Sequence, residues 1–235
     1  MLAATVIGGA LAALGTGTAR TAGIVLLVLG GWAVSLCVHE FGHALTAYRG
    51  GDRSVRAKGY LTLDIRRYTD PVMSLLLPLA LLALGGIPLP GGAVWINRAA
   101  LRSRAITSAV SLAGPLVNLI LGAVLTAVVA LSPLPGGLAA GLSYLALVQV
   151  LAFVLNILPV PGLDGFGVVE PYLPTSARRL AGSLGWYAPL LLFVLIIGVP
   201  AVANALFGAS FTVFAALGGD PFAAATGLQE FLFWR

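Results

Sequence analysis

The sequence predicts an all-α polytopic membrane protein with about five to six transmembrane helices, a re-entrant segment and short membrane-surface β-strands. Three observations carry that expectation. Hydrophobic residues make up 59% of the 235 and charged ones only 9%, where a soluble domain carries about 25% charged residues. The apolar runs cover the whole length, so 1–235 reads as one integral-membrane domain, with a core at about 21–166 and a C-terminal span and tail at 187–235. The only two histidines, His39 and His43, fall inside one apolar run with Glu40 beside the first. Ionisable groups inside a membrane span are costly and usually functional.

Taken in order, residues 1–18 are rich in Ala and Gly and lack the basic start of a signal peptide. They read as a first span, short and weakly packed, and not as a cleaved leader. The second span, about 21–48, carries His39-Glu40-Phe41-Gly42-His43 near its end, with Gly30 and Gly31 about two turns earlier, where they would admit a neighbouring helix closely. Residues 49–68 are the most polar stretch, and the alternation of 57–64 suggests a short strand at the membrane surface.

The apolar core at 72–84 is shorter than the roughly 17–25 residues of a full span and is interrupted by Pro78. Residues 93–96 then read as extended. A clear span follows at about 105–131, a turn at 132–137, and a further span at about 138–158. Pro159 and Pro161 must break that helix and leave an unwound segment presenting Asn156 and Asp164. Residues 170–186 form a polar connection, 187–207 a last strong span, and the tail after Phe211 an interfacial segment or a weak further span.

The chemistry centres on His39, Glu40 and His43. An HExxH on a helix sets two imidazoles at i and i+4 on one face, where both reach one metal ion. The glutamate is placed to take a proton from a metal-activated water. A stranded Glu40 at membrane depth costs on the order of 2.5–3.5 kcal/mol, which favours a metal over an idle polar group. Catalytic zinc sites offer three protein ligands and one open position, and no third histidine exists. Asp164, on broken backbone between Pro161 and Gly165, is the best candidate; the alternative is a plain turn aspartate.

Charge and topology bear on that choice. If 72–84 re-enters, only two crossings separate His43 from Asp164, and both lie on one face. Re-entry also gathers Arg49, Arg53, Arg56, Lys58, Arg66, Arg67, Arg98, Arg102, Arg104, Arg178 and Arg179 on one side against Arg20 alone, as the positive-inside rule expects of a cytoplasmic face. The net charge of +5 suits anionic lipid headgroups, and nothing suggests a nucleic-acid partner. Cys37 is alone, which excludes an internal disulfide and a cysteine metal cluster.

Three motifs in this order resemble the site-2 proteases, zinc intramembrane metalloproteases of the M50 class: His39-Glu40-Phe41-Gly42-His43, Ala113-Gly114-Pro115-Leu116-Val117-Asn118, and Asn156-Ile157-Leu158-Pro159-Val160-Pro161-Gly162-Leu163-Asp164-Gly165. The likeness runs from about Gly30 to Phe166. It implies that His39, His43 and Asp164 hold one zinc ion and that Glu40 is the general base. It further implies that Asn156, with Asn118, places the substrate backbone or stabilises the oxyanion, and that 69–96 borders the substrate cleft. The expected protein is a minimal member, without a PDZ domain or a nucleotide-binding module. It would sit as a multi-pass protein in a bacterial cell membrane, with its site toward the cytoplasm and transmembrane proteins as substrates. The rival readings are a catalytically silent metal-binding protein that holds single-span partners and, last, an ion transporter, for which no inverted repeat is visible.

Overall fold

The computed structural model describes residues 1–64, 94–185 and 187–234. The expected re-entrant segment at 72–84, Arg66, Arg67 and most of 69–96 lie outside them. Among the described residues all regular structure is helical.

Three helices are long and apolar enough to cross a membrane: α2 (Thr18–Gly50), α4 (Arg104–Leu131) and α5 (Gly136–Asn156). A fourth span arises if the successive helices α7 (Thr175–Leu184) and α8 (Tyr187–Gly198) are counted as one bent element. α5 is the axis of the molecule, buried on nearly every side, with α2 and α4 against it. α4 shows why the chain folds this way. Val110, Gly114, Asn118, Gly122 and Thr126 recur every four residues and are buried, while Leu116, Ile120, Val124 and Val128 recur likewise and are exposed. One stripe faces protein; the other is left for lipid tails.

α1 (Leu2–Leu14) departs from expectation. Thirteen residues span about 20 Å, short of the roughly 30 Å hydrocarbon layer. It is not weakly packed: its Leu11 and Ala12 rest on the backbone of α2 at Gly23, where any side chain would collide. Gly30 and Gly31 admit neighbours as expected, Gly30 facing Thr5 of α1 and Gly31 facing Leu145 of α5.

The strand expected at 57–64 is absent. A single helical turn, α3 (Ser54–Ala57), is followed by Gly59 at φ 76°, and the Tyr60 N–H returns to the Val55 carbonyl at 3.0 Å. That left-handed glycine turns the chain before the alternation can be read as a pleat. Residues 94–97, which take in most of the stretch expected as extended, carry no regular secondary structure. They are pinned to the end of α2 by Asp52, whose carboxylate accepts the Asn97 N–H at 2.7 Å, the Ser54 N–H at 2.9 Å and the Ser54 hydroxyl at 2.6 Å. Burial pushes the Asp52 carboxyl up, but these donors outweigh it and hold it below its ordinary value of 3.8. The Arg102 N–H then bonds the Gly50 carbonyl at 3.1 Å. The chain therefore returns at Val94 to the end of α2 that it left at Gly51.

The C-terminal part also differs. The polar connection holds a 3₁₀ turn (Glu170–Tyr172) and α7. The span expected at 187–207 is two helices, α8 and α9 (Pro200–Ala216). Pro200 has no amide for the Ile196 carbonyl and forces Val199 to extend (φ −123°, ψ 100°), so the first helix stops and the proline opens the next. The tail is α10 (Pro221–Phe231), capped by Asp220 through the Phe222 and Ala223 amides. Phe231 is fully buried against Tyr144 of α5, so the tail belongs to the core.

Candidate metal centre

His39 and His43 lie one helical turn apart near the end of α2, His43 roughly 10 Å before Gly50 at 1.5 Å per residue. Both are buried. Their Nε2 atoms approach to 3.1 Å. Asp164 arrives from another part of the chain. Pro159 and Pro161 prevent α5 from continuing, Gly162 turns at φ 93°, and Asp164 becomes the first residue of α6 (Asp164–Val169). Its Oδ2 lies 3.2 Å from His39 Nε2 and 3.4 Å from His43 Nε2. The Val168 carbonyl accepts the Ser108 hydroxyl of α4 at 2.6 Å, and Glu170 pairs with Arg98, so α6 is fastened on both sides.

The other ring nitrogens decide what the centre can hold. His39 Nδ1 faces Asn118 Oδ1 at 2.5 Å, and His43 Nδ1 faces the Val110 carbonyl at 2.7 Å. The Val110 carbonyl only accepts, so His43 carries its proton on Nδ1, and with Asn118 presenting Oδ1 so does His39; both Nε2 atoms then present lone pairs. Two imidazole lone pairs and a carboxylate oxygen thus converge within 4.8 Å. Such a set repels itself without a cation, and its two-nitrogen, one-oxygen chemistry suits zinc with a fourth position open. Gly114 makes the approach of α4 feasible: a Cβ there would fall on Nε2 of both histidines.

The open side is a cavity of about 450 Å³, bounded by Glu40, Trp95, Ile96, Ser111 and Asn156 beside the three candidate ligands. Glu40 is buried and opens onto it. So does Asn156, the last residue of α5.

These features can be set beside known proteins. "Putative zinc metalloprotease Rip2" of Mycobacterium tuberculosis is 44% identical over 239 residues, spanning 100% of this chain and 92% of its own length. The family model Peptidase family M50 matches residues 26–136. The chain belongs to peptidase family M50. "Putative zinc metalloprotease Rip2" of Mycolicibacterium smegmatis is 41% identical over 240 residues, again 100% of this chain and 92% of its own length. "Putative zinc metalloprotease YwhC" of Bacillus subtilis is 31% identical over 178 residues, 70% of this chain and 78% of its own length. No solved structure matches the chain significantly.

Within this M50 chain, His39, Glu40, His43, Asp164 and Asn156 all line the same cavity. Asn118 does not join them at the cavity. Its Oδ1 faces His39 Nδ1 at 2.5 Å and its amide donates to Gln149 Oε1 at 2.8 Å, so both ends of the side chain are engaged between helices. Two participants lie outside the three motifs, the Val110 carbonyl and Gln149, and Gly114 lies within the second motif as a spacer. The signal for Gln149 was its type, a carboxamide in the middle of an otherwise apolar span.

Proposed function

We propose that this M50 member is a zinc-dependent intramembrane endopeptidase, hydrolysing peptide bonds in or near the transmembrane segments of membrane-protein substrates. The observation that carries the reading is the convergence of His39, His43 and Asp164 beside Glu40, at one end of three apolar helices. His39 and His43 bind through Nε2 and Asp164 through Oδ2. When bound, zinc supplies a Lewis acid and brings the pKa of a water toward about 7.

Glu40 takes the proton from the attacking water and returns it to the leaving amide nitrogen. Asn156, on the cavity wall, offers a side-chain N–H to the developing oxyanion. A helical substrate must unwind first, because its carbonyls are paired within the helix. Residues 94–96 line the cavity, where an unwound chain would lie against them. Arg49, Arg53, Arg102 and Arg104 lie at the metal end of the helices and Arg20 at the start of α2, which supports a cytoplasmic orientation of the site. The relatives named above are bacterial proteins, in keeping with a multi-pass place in a bacterial cell membrane.

The test is Glu40→Gln in the full chain, with cleavage of a single-span reporter and zinc content measured together. Zinc content is expected to persist while cleavage stops. Persistent cleavage would remove Glu40 from its role. Wild-type cellular function without cleavage by either protein would favour a non-catalytic binder of single-span partners.

A further inference from the structure

Gln149 sits in the middle of α5, 1% exposed, in a helix whose neighbouring side chains are apolar. A carboxamide in a membrane core is unfavourable unless it is bonded. Gly122 of α4 faces it, a Cβ there lying 3.5 Å from Gln149 Cβ, so no side chain separates Gln149 from α4. It uses one end. Oε1 accepts the Asn118 amide at 2.8 Å, while Nε2 has no partner among the described residues. The next link is His39 Nδ1 on Asn118 Oδ1.

The chain His39–Asn118–Gln149 has two self-consistent polarities. In one, His39 Nδ1–H donates to Asn118 Oδ1 and Asn118 Nδ2–H donates to Gln149 Oε1. His39 Nε2 then presents a lone pair. In the other, both amides are turned over, Gln149 donates to Asn118, and Asn118 donates to His39 Nδ1. The imidazole proton must then sit on Nε2, where it blocks metal binding. Asn118 fits either, and so does a glutamine turned over; in the structure Gln149 presents Oε1 to the Asn118 amide, which is the first polarity.

We propose that Gln149 is a positioning residue that, through Asn118, holds His39 in the tautomer competent for zinc and so raises the zinc affinity of the centre. The inference rests on the reading of His39 as a zinc ligand. It is a hydrogen-bond link between α5 and a ligand on α2, relayed by α4.

The experiment measures zinc affinity by chelator competition on the purified full chain, with the melting temperature of the metal-free protein as a control. Gln149→Met removes the acceptor at similar volume. It is expected to weaken zinc on the order of tenfold, the scale of losing an outer partner of a metal ligand, with metal-free melting unchanged. Gln149→Glu keeps an acceptor oxygen in either protonation state and is expected to restore wild-type affinity. In an Asn118→Ala background, Gln149→Met is expected to have no further effect. Wild-type affinity in Gln149→Met, failure of Gln149→Glu to rescue, or additivity with Asn118→Ala would each overturn the proposal. Should Gln149→Met fail to fold, Gln149→Asn withdraws the amide by one methylene. It is expected to weaken zinc as well, and wild-type affinity there overturns the proposal equally. His39→Ala separates the two levels: retained zinc affinity in that variant sinks the ligand reading itself, whereas lost affinity with Gln149→Met unaffected sinks only this inference.

Discussion

The metal-centre region and the C-terminal helices are both buried against α5, yet they are held by different forces. Around the centre, α2, α4, α5 and α6 meet through directional groups: two imidazoles, a carboxylate, two carboxamides and a carbonyl. On the other side, α8, α9 and α10 meet α5 through Ile196, Leu206, Phe214 and Ala224, packed on Ala146, Val150 and Leu155. The buried hydroxyl there, Ser210, bonds its own helix at the Leu206 carbonyl. One region is therefore sensitive to atom type and orientation, the other to volume. Substitutions can break or sharpen that contrast.

The largest effect is expected at Gly114. Gly114→Ala adds a methyl where both Nε2 atoms lie, so zinc binding should be lost while the apolar packing of α8 to α10 persists. Metal analysis alongside helical content checks this, and stoichiometric zinc in that variant would show that α4 has slack. Next is Phe214→Ala. Phe214 is 1% exposed in the apolar cluster, and its truncation should destabilise by about 3–5 kcal/mol. Zinc affinity should be unchanged, since the cavity opens away from the centre. A coupled loss of zinc affinity would mean that the two regions are not independent.

The smallest effect is expected at Asp52, which joins α2 to residues 94–97 outside both regions. Its folded pKa lies below the ordinary value of 3.8, so its stabilisation is present above that value and is lost as the pH falls through the folded pKa. Asp52→Asn should melt lower at neutral pH, by about 1 kcal/mol for the weakened hydrogen bonds. The gap to wild type should begin to narrow as the pH falls below about 4 and should close only below the folded pKa. A gap independent of pH would show that the carboxylate charge contributes nothing.

The same contrast explains what could be read in advance. His39, Glu40 and His43 were legible because helical spacing alone sets i and i+4 on one face. Asp164 was legible because two prolines end the preceding span and the charge bias returns it to the same side. Gln149 was not, because hydropathy averages over a single carboxamide and its partner Asn118 lies 31 residues away in sequence. Asn118 carried a motif but not its contacts. The break at Pro200 was hidden by the apolar run on both sides of it. The false strand at 57–64 came from an alternation that a left-handed Gly59 interrupts. Local periodicity and punctuation were readable; pairings between helices were not.

The central claim is that this M50 metalloprotease completes its zinc site with a carboxylate carried in from beyond α5. The most direct measurement is the zinc affinity of Asp164→Ala in the full chain, by chelator competition. The account predicts a severe loss, comparable to that of His39→Ala or His43→Ala, with metal-free melting near wild type. Full zinc affinity in Asp164→Ala would contradict it.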